Sequence, residues 1–236
     1  FNEGTVTLNG GTYDRSSETG ESADVSGGNS WYTLCNHGIM TINPGVTVKN
    51  TGSFSSMIEN GYFGYNDNNA RTGYVEGTNH ANPSLTINGG NFDGGLNTVK
   101  NDDGATLTIR GGTYRNTTQA TILNWNKTEI YDGDFECNNG SCVLNGAYVA
   151  NSSANDAGEL KIYNGKFISQ EGKPAITWNI RNADVGVSGG VFSSAIPAQY
   201  CASGFAPLVK EDGTYGVVDT NNPGATLKDG NGNYYE

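Results

Sequence analysis

Basic residues are scarce in this sequence of 236 residues. It contains 13 Lys plus Arg against 24 Asp plus Glu, which gives a formal net charge of -11 at pH 7. Proteins that bind nucleic acids or anionic membrane surfaces use clustered basic residues, whereas the basic residues here are scattered singly. The composition therefore argues against a nucleic-acid partner.

Long apolar runs are also missing. No stretch approaches the roughly 20 residues that a membrane-spanning helix needs, so the sequence predicts no membrane span, and no signal peptide is visible. The repeating pattern described below is already under way at Phe1. We therefore expect the chain to be a piece of a longer protein.

Residues that bind metals or act as nucleophiles are few. The two histidines, His37 and His80, have no partner at ligand spacing, so we expect neither a zinc site nor any other cofactor. The glycine-aspartate nonapeptide of calcium-binding β-rolls is missing, and no Ser or Cys lies in the context of a catalytic triad. Four cysteines are few for a disulfide scaffold. Two alternatives remain open for Cys137 and Cys142: a disulfide that closes a small loop, or buried free thiols.

What the sequence does contain is a repeat. An alternating apolar strand, a glycine and usually an aromatic residue recur seven times, with starts at Val6, Met40, Leu85, Leu107, Thr128, Leu160 and Val185. The basic period is 21 to 25 residues, and the longer gaps hold insertions or weaker repeats. A period of this size is typical of a solenoid.

Each copy of the repeat has the same internal order. The first and third positions are apolar or nearly so, and this alternation predicts a half-buried strand. The sixth position is always glycine, as a bend with positive φ would require, at Gly11, Gly45, Gly90, Gly112, Gly133, Gly165 and Gly190. Six copies carry an aromatic residue two positions later, namely Tyr13, Phe92, Tyr114, Phe135, Phe167 and Phe192. Stacked coils would align these rings in one interior ladder.

Short strands of this kind can bury their apolar faces only by stacking on one another, about 4.8 Å apart. The sequence therefore predicts an all-β fold, a parallel β-helix, which the usual handedness of parallel connections makes right-handed. Leucine-rich repeats and propellers are excluded because their characteristic spacings do not occur. We expect coils over residues 1–192, a turn and hairpin cap over 193–218, and a linker or the start of another repeat unit over 219–236.

Polysaccharide-degrading enzymes often have this fold, so acidic pairs are candidates for catalysis. Asp102 and Asp103 faintly resemble an element of polygalacturonases, and Asp132 and Asp134 belong to a second acidic cluster. Glycoside hydrolysis needs two carboxylates across the scissile bond. The alternative is ordinary turn chemistry, since the Gly-His-Gly and Arg-Ile-Lys elements of polygalacturonases are missing.

Residues 50–83 are the longest departure from the repeat. They concentrate aromatic, amide and basic side chains suited to stacking on a sugar or anchoring a protein, among them Tyr62, Phe63, Tyr65, Asn68, Arg71 and Tyr74. The alternative is one or two irregular coils whose rings face the core. We expect any specific ligand, a host glycan or a protein, to bind at this insertion.

The segment from Val187 to Val218 is the most specific part of the chain. It contains a Ser-Gly-Gly-Val-Phe-Ser-Ser phrase, a Tyr-Cys-Ala turn and an Asp-Gly-Thr-Tyr hairpin. It resembles the closing segment of repeat units in large secreted or cell-wall-anchored surface proteins of Gram-positive gut bacteria. The resemblance implies an extracellular, non-catalytic adhesin or stalk with neighbouring repeat units. A carbohydrate-active enzyme and a phage tail-fibre segment remain alternatives.

Overall fold

The structure is a computed structural model that describes residues 1–16, 32–53, 55–61, 83–102, 104–146, 158–180, 183–224 and 226–236. Regular structure in these residues is almost entirely β, and one short 3-10 turn spans Ala198–Tyr200. None of the described residues forms a helix that is long and apolar enough to cross a membrane.

The described strands, numbered in chain order, form three sheets. Sheet 1 contains, in spatial order, β1 (Thr5–Leu8), β4 (Ile39–Ile42), β7 (Ser84–Ile87), β10 (Thr106–Ile109), β13 (Lys127–Ile130), β16 (Glu159–Ile162) and β19 (Val185–Val187). Sheet 2 contains β2 (Gly11–Asp14), β5 (Val46–Asn50), β8 (Asn91–Gly94), β11 (Thr113–Asn116), β14 (Asp134–Cys137), β17 (Lys166–Ser169), β20 (Val191–Phe192), β22 (Tyr215–Asp219), β21 (Phe205–Val209), β24 (Tyr234–Tyr235) and β23 (Leu227–Lys228). Sheet 3 contains β3 (Leu34–Asn36), β6 (Ile58–Asn60), β9 (Asn97–Asn101), β12 (Ala120–Asn124), β15 (Val143–Asn145) and β18 (Ile176–Trp178).

Each coil visits the three sheets in turn, and equivalent positions of successive repeats are paired directly. The first residue of the repeat aligns from Val6 through Met40 and onward to Val185. All seven glycines of the repeat have positive φ, from +96° at Gly45 to +145° at Gly133. The predicted parallel β-helix and the predicted glycine bend are therefore confirmed.

The interior face of sheet 2 carries the predicted aromatic ladder. Five rings stack with centroids 4.6 to 5.0 Å apart, each at most 1% exposed: Phe92, Tyr114, Phe135, Phe167 and Phe192. Val48 occupies this position in the second coil, and Tyr13 in the first coil is half-buried. The ladder is confirmed, and it joins the aliphatic side chains of the other sheets in one continuous core.

Five strands of sheet 3 end in an asparagine, and the side chains of these residues form a second interior ladder, which the repeat pattern did not predict. Its rungs are fully buried and comprise Asn36, Asn60, Asn101, Asn124 and Asn145. Each of the first four amide groups donates a hydrogen bond to the next rung's Oδ1 at 2.7 to 3.1 Å. The same amides also donate to the carbonyl of the first residue of a sheet 1 strand, as Asn124 does to Glu159. The ladder therefore ties sheet 3 to sheet 1.

An antiparallel hairpin covers the C-terminal end of the coils. Strand β22 pairs with β20 through Phe192 and Tyr215, and it pairs with β21 along five residues. The predicted hairpin cap is confirmed, and its loop contains three residues, 211–213. Lys210 and Thr214 close it, and Gly213 adopts a φ of +81°, which is typical of a three-residue loop with a bulge.

Residues 226–236 extend this cap. They form a second small hairpin, β23 and β24, and β24 pairs in parallel with β21 through Leu208 and Tyr234. On the other side of the cap, the ring of Tyr200 stacks on Trp178 of the last sheet 3 strand at 4.1 Å. The segment predicted as a linker or as the start of another unit is thus part of sheet 2.

Candidate functional site

The predicted binding residues of the insertion lie outside the described residues. This applies to Tyr62, Phe63, Tyr65, Asn68, Arg71 and Tyr74, and also to the candidate acid Asp103. The other candidate acids can be located. Asp102 is fully buried and its Oδ2 lies 2.5 Å from the Nζ atom of Lys100, so it faces no substrate. Asp132 is exposed and accepts a hydrogen bond from the backbone N–H of Gly133, as a turn residue does.

Asp134 is the one described candidate that lies in a groove. It shares the outward face of β14 with Glu136, and the two line a shallow depression of about 390 Å³ together with Arg115 and Lys166. Asp134 is paired in register with Lys166, and Glu136 forms an ion pair with Arg115. Two carboxylates beside two cations, open to solvent, are a possible catalytic arrangement.

The same face of sheet 2 also suggests a structural role for these charges. One outward row alternates in sign from coil to coil through Asp14, Lys49, Asp93, Arg115 and Glu136. Opposite charges on paired rungs stabilise the strand register, and like charges would destabilise it. The charges of the row are therefore arranged along the axis of the solenoid and do not converge on one point.

The thiols of Cys137 and Cys142 are free and buried. Of the two alternatives, the structure therefore has the buried free thiols and not the disulfide. The Sγ atom of Cys137 lies 3.5 Å from the carbonyl oxygen of Gln119, and that of Cys142 lies 3.3 Å from the carbonyl oxygen of Phe135. Burial raises the pKa of Cys142 to about 12. These thiols behave as small core side chains.

A cluster that the sequence did not predict lies on the outer face of sheet 3, in its first two coils. Cys35 and His37 are two residues apart, and Cys35 is paired in register with Glu59 of the next coil. The Sγ atom of Cys35 lies 3.6 Å from Nε2 of His37 and 3.4 Å from Oε2 of Glu59. The three ligand atoms all lie within 4.8 Å of one another. The expectation that His37 has no partner at ligand spacing was therefore wrong.

Burial dominates the electrostatics of this cluster. Glu59 is 2% exposed, and desolvation raises the pKa of its carboxyl to about 7. Lys100 and hydrogen bonds from Cys35 and Tyr32 lower this pKa, whereas Asp102 raises it. Desolvation, followed by the charge of Glu59, raises the pKa of the Cys35 thiol far above its ordinary value. Because a nucleophilic cysteine must be a thiolate, this environment does not favour covalent catalysis.

Cys35 and Glu59 belong to a column of aligned residues on the outer face of sheet 3, and the next residue of this column forms an ion pair. Glu59 is aligned with Lys100 in the third coil, and the Lys100 ammonium is held by Asp102 and lies 4.4 Å from the ring centroid of Trp125. Beyond this rung the column becomes apolar, with Leu123 in the fourth coil. The polar cluster is thus confined to the first three coils.

A corner of the solenoid between sheets 1 and 2 exposes two aromatic rings. Tyr131 and Tyr163 stack at 4.7 Å, and the guanidinium of Arg110 lies 4.9 Å from the Tyr131 ring centroid. The face that each ring turns to the other is therefore covered by protein, and a sugar cannot stack on it.

Comparison of the chain with known protein families, with curated proteins and with solved structures finds no match.

Proposed function

We propose that the chain is a non-catalytic, extracellular β-helix module of a bacterial surface protein, acting as a rigid spacer or adhesin beside neighbouring repeat units. The observation that carries this proposal is the unbroken axial register of the coils. Six steps of about 4.8 Å extend the solenoid by about 29 Å between the first and last coil. Two interior ladders stiffen that length.

The outer surface supports the same proposal. The charged row of sheet 2 pairs along the axis, and Asp102 is buried against Lys100. A module built in this way can hold a recognition segment at a fixed distance from its anchor. We assign that recognition to the insertion at residues 50–83, whose aromatic and amide side chains suit a host glycan or a protein.

A specific observation favours one second candidate, a carbohydrate-active enzyme. Asp134 and Glu136 are two residues apart on one face of β14, and both line the solvent-open depression together with Arg115 and Lys166. Glycoside hydrolysis uses two carboxyl groups that flank the scissile bond. Against this candidate, Glu136 is engaged by Arg115 in the charged row.

The experiment is a glycan and glycoprotein array combined with a reducing-sugar release assay on the same polysaccharides. The module is expected to bind and to release nothing. Replacing Tyr62, Phe63 and Tyr65 with serine should abolish binding. The matched control replaces Tyr131 and Tyr163 with serine, because these are exposed rings outside the insertion.

Two results would count against the proposal. Loss of binding in the control alone would move recognition to the corner of the solenoid. Release of reducing sugar that disappears in Asp134→Asn and in Glu136→Gln would establish the enzyme instead. Thermal unfolding of each variant separates loss of a contact from loss of the fold.

A further inference from the structure

The cluster of Cys35, His37 and Glu59 has the geometry of a metal-binding site. Cys35 lies on the outer face of β3, whose last residue, Asn36, points into the core, and His37 follows directly after the strand. Strand pairing then places Glu59 directly beside Cys35. Two of the ligands thus come from adjacent rungs of a sheet, which is a rigid support, and the third comes from the bend that follows β3.

The distances between the ligand atoms match those around a tetrahedral ion. Bond lengths to zinc are about 2.3 Å for sulfur, 2.0 to 2.1 Å for imidazole nitrogen and 2.0 to 2.2 Å for carboxylate oxygen, so sulfur should lie about 3.6 Å from either other ligand atom. The observed distances from Cys35 Sγ are 3.6 Å to His37 Nε2 and 3.4 Å to Glu59 Oε2. Two of the three distances therefore fit a tetrahedral ion, and the third, between the ligand atoms of His37 and Glu59, is within 4.8 Å.

A second, independent observation concerns the other oxygen of Glu59. The side chain is 2% exposed, and its Oε1 is a buried atom with no hydrogen-bond partner. A buried carboxylate oxygen without a partner costs free energy unless a cation or a donor compensates it. The nearest ammonium in the column, that of Lys100, is held by Asp102. A bound cation would complete the coordination of Glu59.

We propose that Cys35, His37 and Glu59 bind one divalent transition-metal ion, and that Zn²⁺ fits this donor set best. Thiolate and imidazole select zinc and its neighbours over calcium or magnesium, which prefer oxygen ligands. Three protein ligands leave a fourth position for Oε1 of Glu59 or for a water molecule. The ion joins the first coil to the second and acts as a clamp at that end of the solenoid.

The test uses Co²⁺ as a spectroscopic probe and Zn²⁺ as its competitor, on the reduced full chain. Four-coordinate Co²⁺ bound by a thiolate shows a sulfur-to-cobalt charge-transfer band and intense visible d–d bands. We expect these bands to saturate at one Co²⁺ per chain and to disappear when Zn²⁺ is added. Zn²⁺ should also raise the thermal unfolding midpoint, because only the folded chain brings the three ligands together.

Three variants and one control assign the bands. Cys35→Ser should remove the charge-transfer band, and His37→Gln and Glu59→Gln should weaken Co²⁺ binding more than about 100-fold, since even outer partners of metal ligands contribute about 10- to 100-fold. The matched control is Cys201→Ser, which removes a half-buried thiol that belongs to no such cluster among the described residues. It should bind as the parent does.

The proposal is overturned if the parent shows no charge-transfer band at saturating Co²⁺. It is also overturned if the band persists in Cys35→Ser or vanishes in Cys201→Ser. Circular dichroism checks the fold of every variant. If Cys35→Ser does not fold, the nearly isosteric Glu59→Gln variant decides, and unchanged affinity in that variant refutes the site.

Discussion

Replacing Asn124 with alanine removes one rung of the interior asparagine ladder. The Asn124 amide donates to Oδ1 of Asn145 at 2.8 Å and to the carbonyl of Glu159 at 2.9 Å. Its own Oδ1 accepts from Asn101 at 3.1 Å and from the hydroxyl of Thr128 at 2.8 Å. The side chain is fully buried, so water does not replace these bonds without entering the core.

The magnitude follows from the partners that the substitution leaves behind. The Asn101 amide keeps the carbonyl of Lys127 and the hydroxyl of Thr128 as acceptors, so the loss of its bond to Asn124 costs little free energy. The Asn145 oxygen, the Glu159 carbonyl and the Thr128 hydroxyl each lose a bond. A buried polar group left without a partner costs about 1 to 3 kcal/mol. We therefore expect Asn124→Ala to lower the free energy of unfolding by about 3 to 5 kcal/mol, allowing for non-additivity.

Urea denaturation followed by circular dichroism measures this change, and the chain supplies a matched control. Asn43 belongs to an outer ladder, where it donates to Asn9 and accepts from Asn88, both at 2.8 Å, but water reaches these groups. Asn43→Ala should cost less than about 1 kcal/mol, because solvent replaces the lost bonds. Equal losses at Asn124 and Asn43 would refute the argument that burial gives the inner ladder its stabilising effect.

Three further changes test other parts of the fold. Phe135→Ala should lower the free energy of unfolding by about 3 to 5 kcal/mol, because the ring is buried between two other rings. Tyr13→Ala, in the first coil where the ring is only half-buried, should cost less than half of that. Equal losses in urea denaturation would argue against the ladder. Gly112→Val should destabilise far more than Thr113→Val in the same assay, because Gly112 has a φ of +111° and a Cβ there would lie 3.1 Å from a carbonyl oxygen; equal tolerance would contradict this. Burial raises the pKa of Glu59 from 4.5 to about 7. With a chelator present, the free energy of unfolding should therefore fall by about 3 kcal/mol as the pH rises from 4.5 to about 7, because Glu59 ionises in the unfolded chain before it ionises in the folded chain. A fall of the same size in Glu59→Gln would assign the effect to another group.

The coils and the aromatic ladder were predictable because their chemistry recurs at fixed positions. A glycine such as Gly133 and a ring such as Phe135 stand two residues apart in copy after copy, and a solenoid stacks equal positions on one another. The hairpin cap was predictable from its Asp-Gly turn, although the bulge at Gly213 lengthened the loop.

The asparagine ladder was harder to predict, because asparagine is also the ordinary residue of turns. A signal was present, since an aliphatic residue stands two positions before each rung, as Ile122 does before Asn124. The number of residues between the glycine of the repeat and the asparagine rung varies with the length of the turn between sheets 2 and 3. The rungs therefore align in space without aligning to a constant period in the sequence.

The Cys35 cluster was missed for a related reason. Cys35 stands two residues before His37 in the sequence, but the third member of the cluster, Glu59, is supplied by the next coil, where it is paired with Cys35. Residues on adjacent rungs of a solenoid are separated by one coil of sequence, and insertions make that separation irregular. Ligand spacing in such a fold must therefore be sought across coils, and the register has to be known first.

The position of the cluster also bears on where recognition takes place. Glu59 lies in β6, within the range 50–83, and three residues before Tyr62, so the chain runs from the proposed metal ligand directly to the predicted binding residues. A metal ion bound by Glu59 would restrain the strand from which that segment departs. If the insertion binds a ligand, its affinity and that of the metal are then linked in both directions, because any coupling between two sites is reciprocal. The two proposals remain separable, since Co²⁺ spectra report the metal site without any ligand at the insertion.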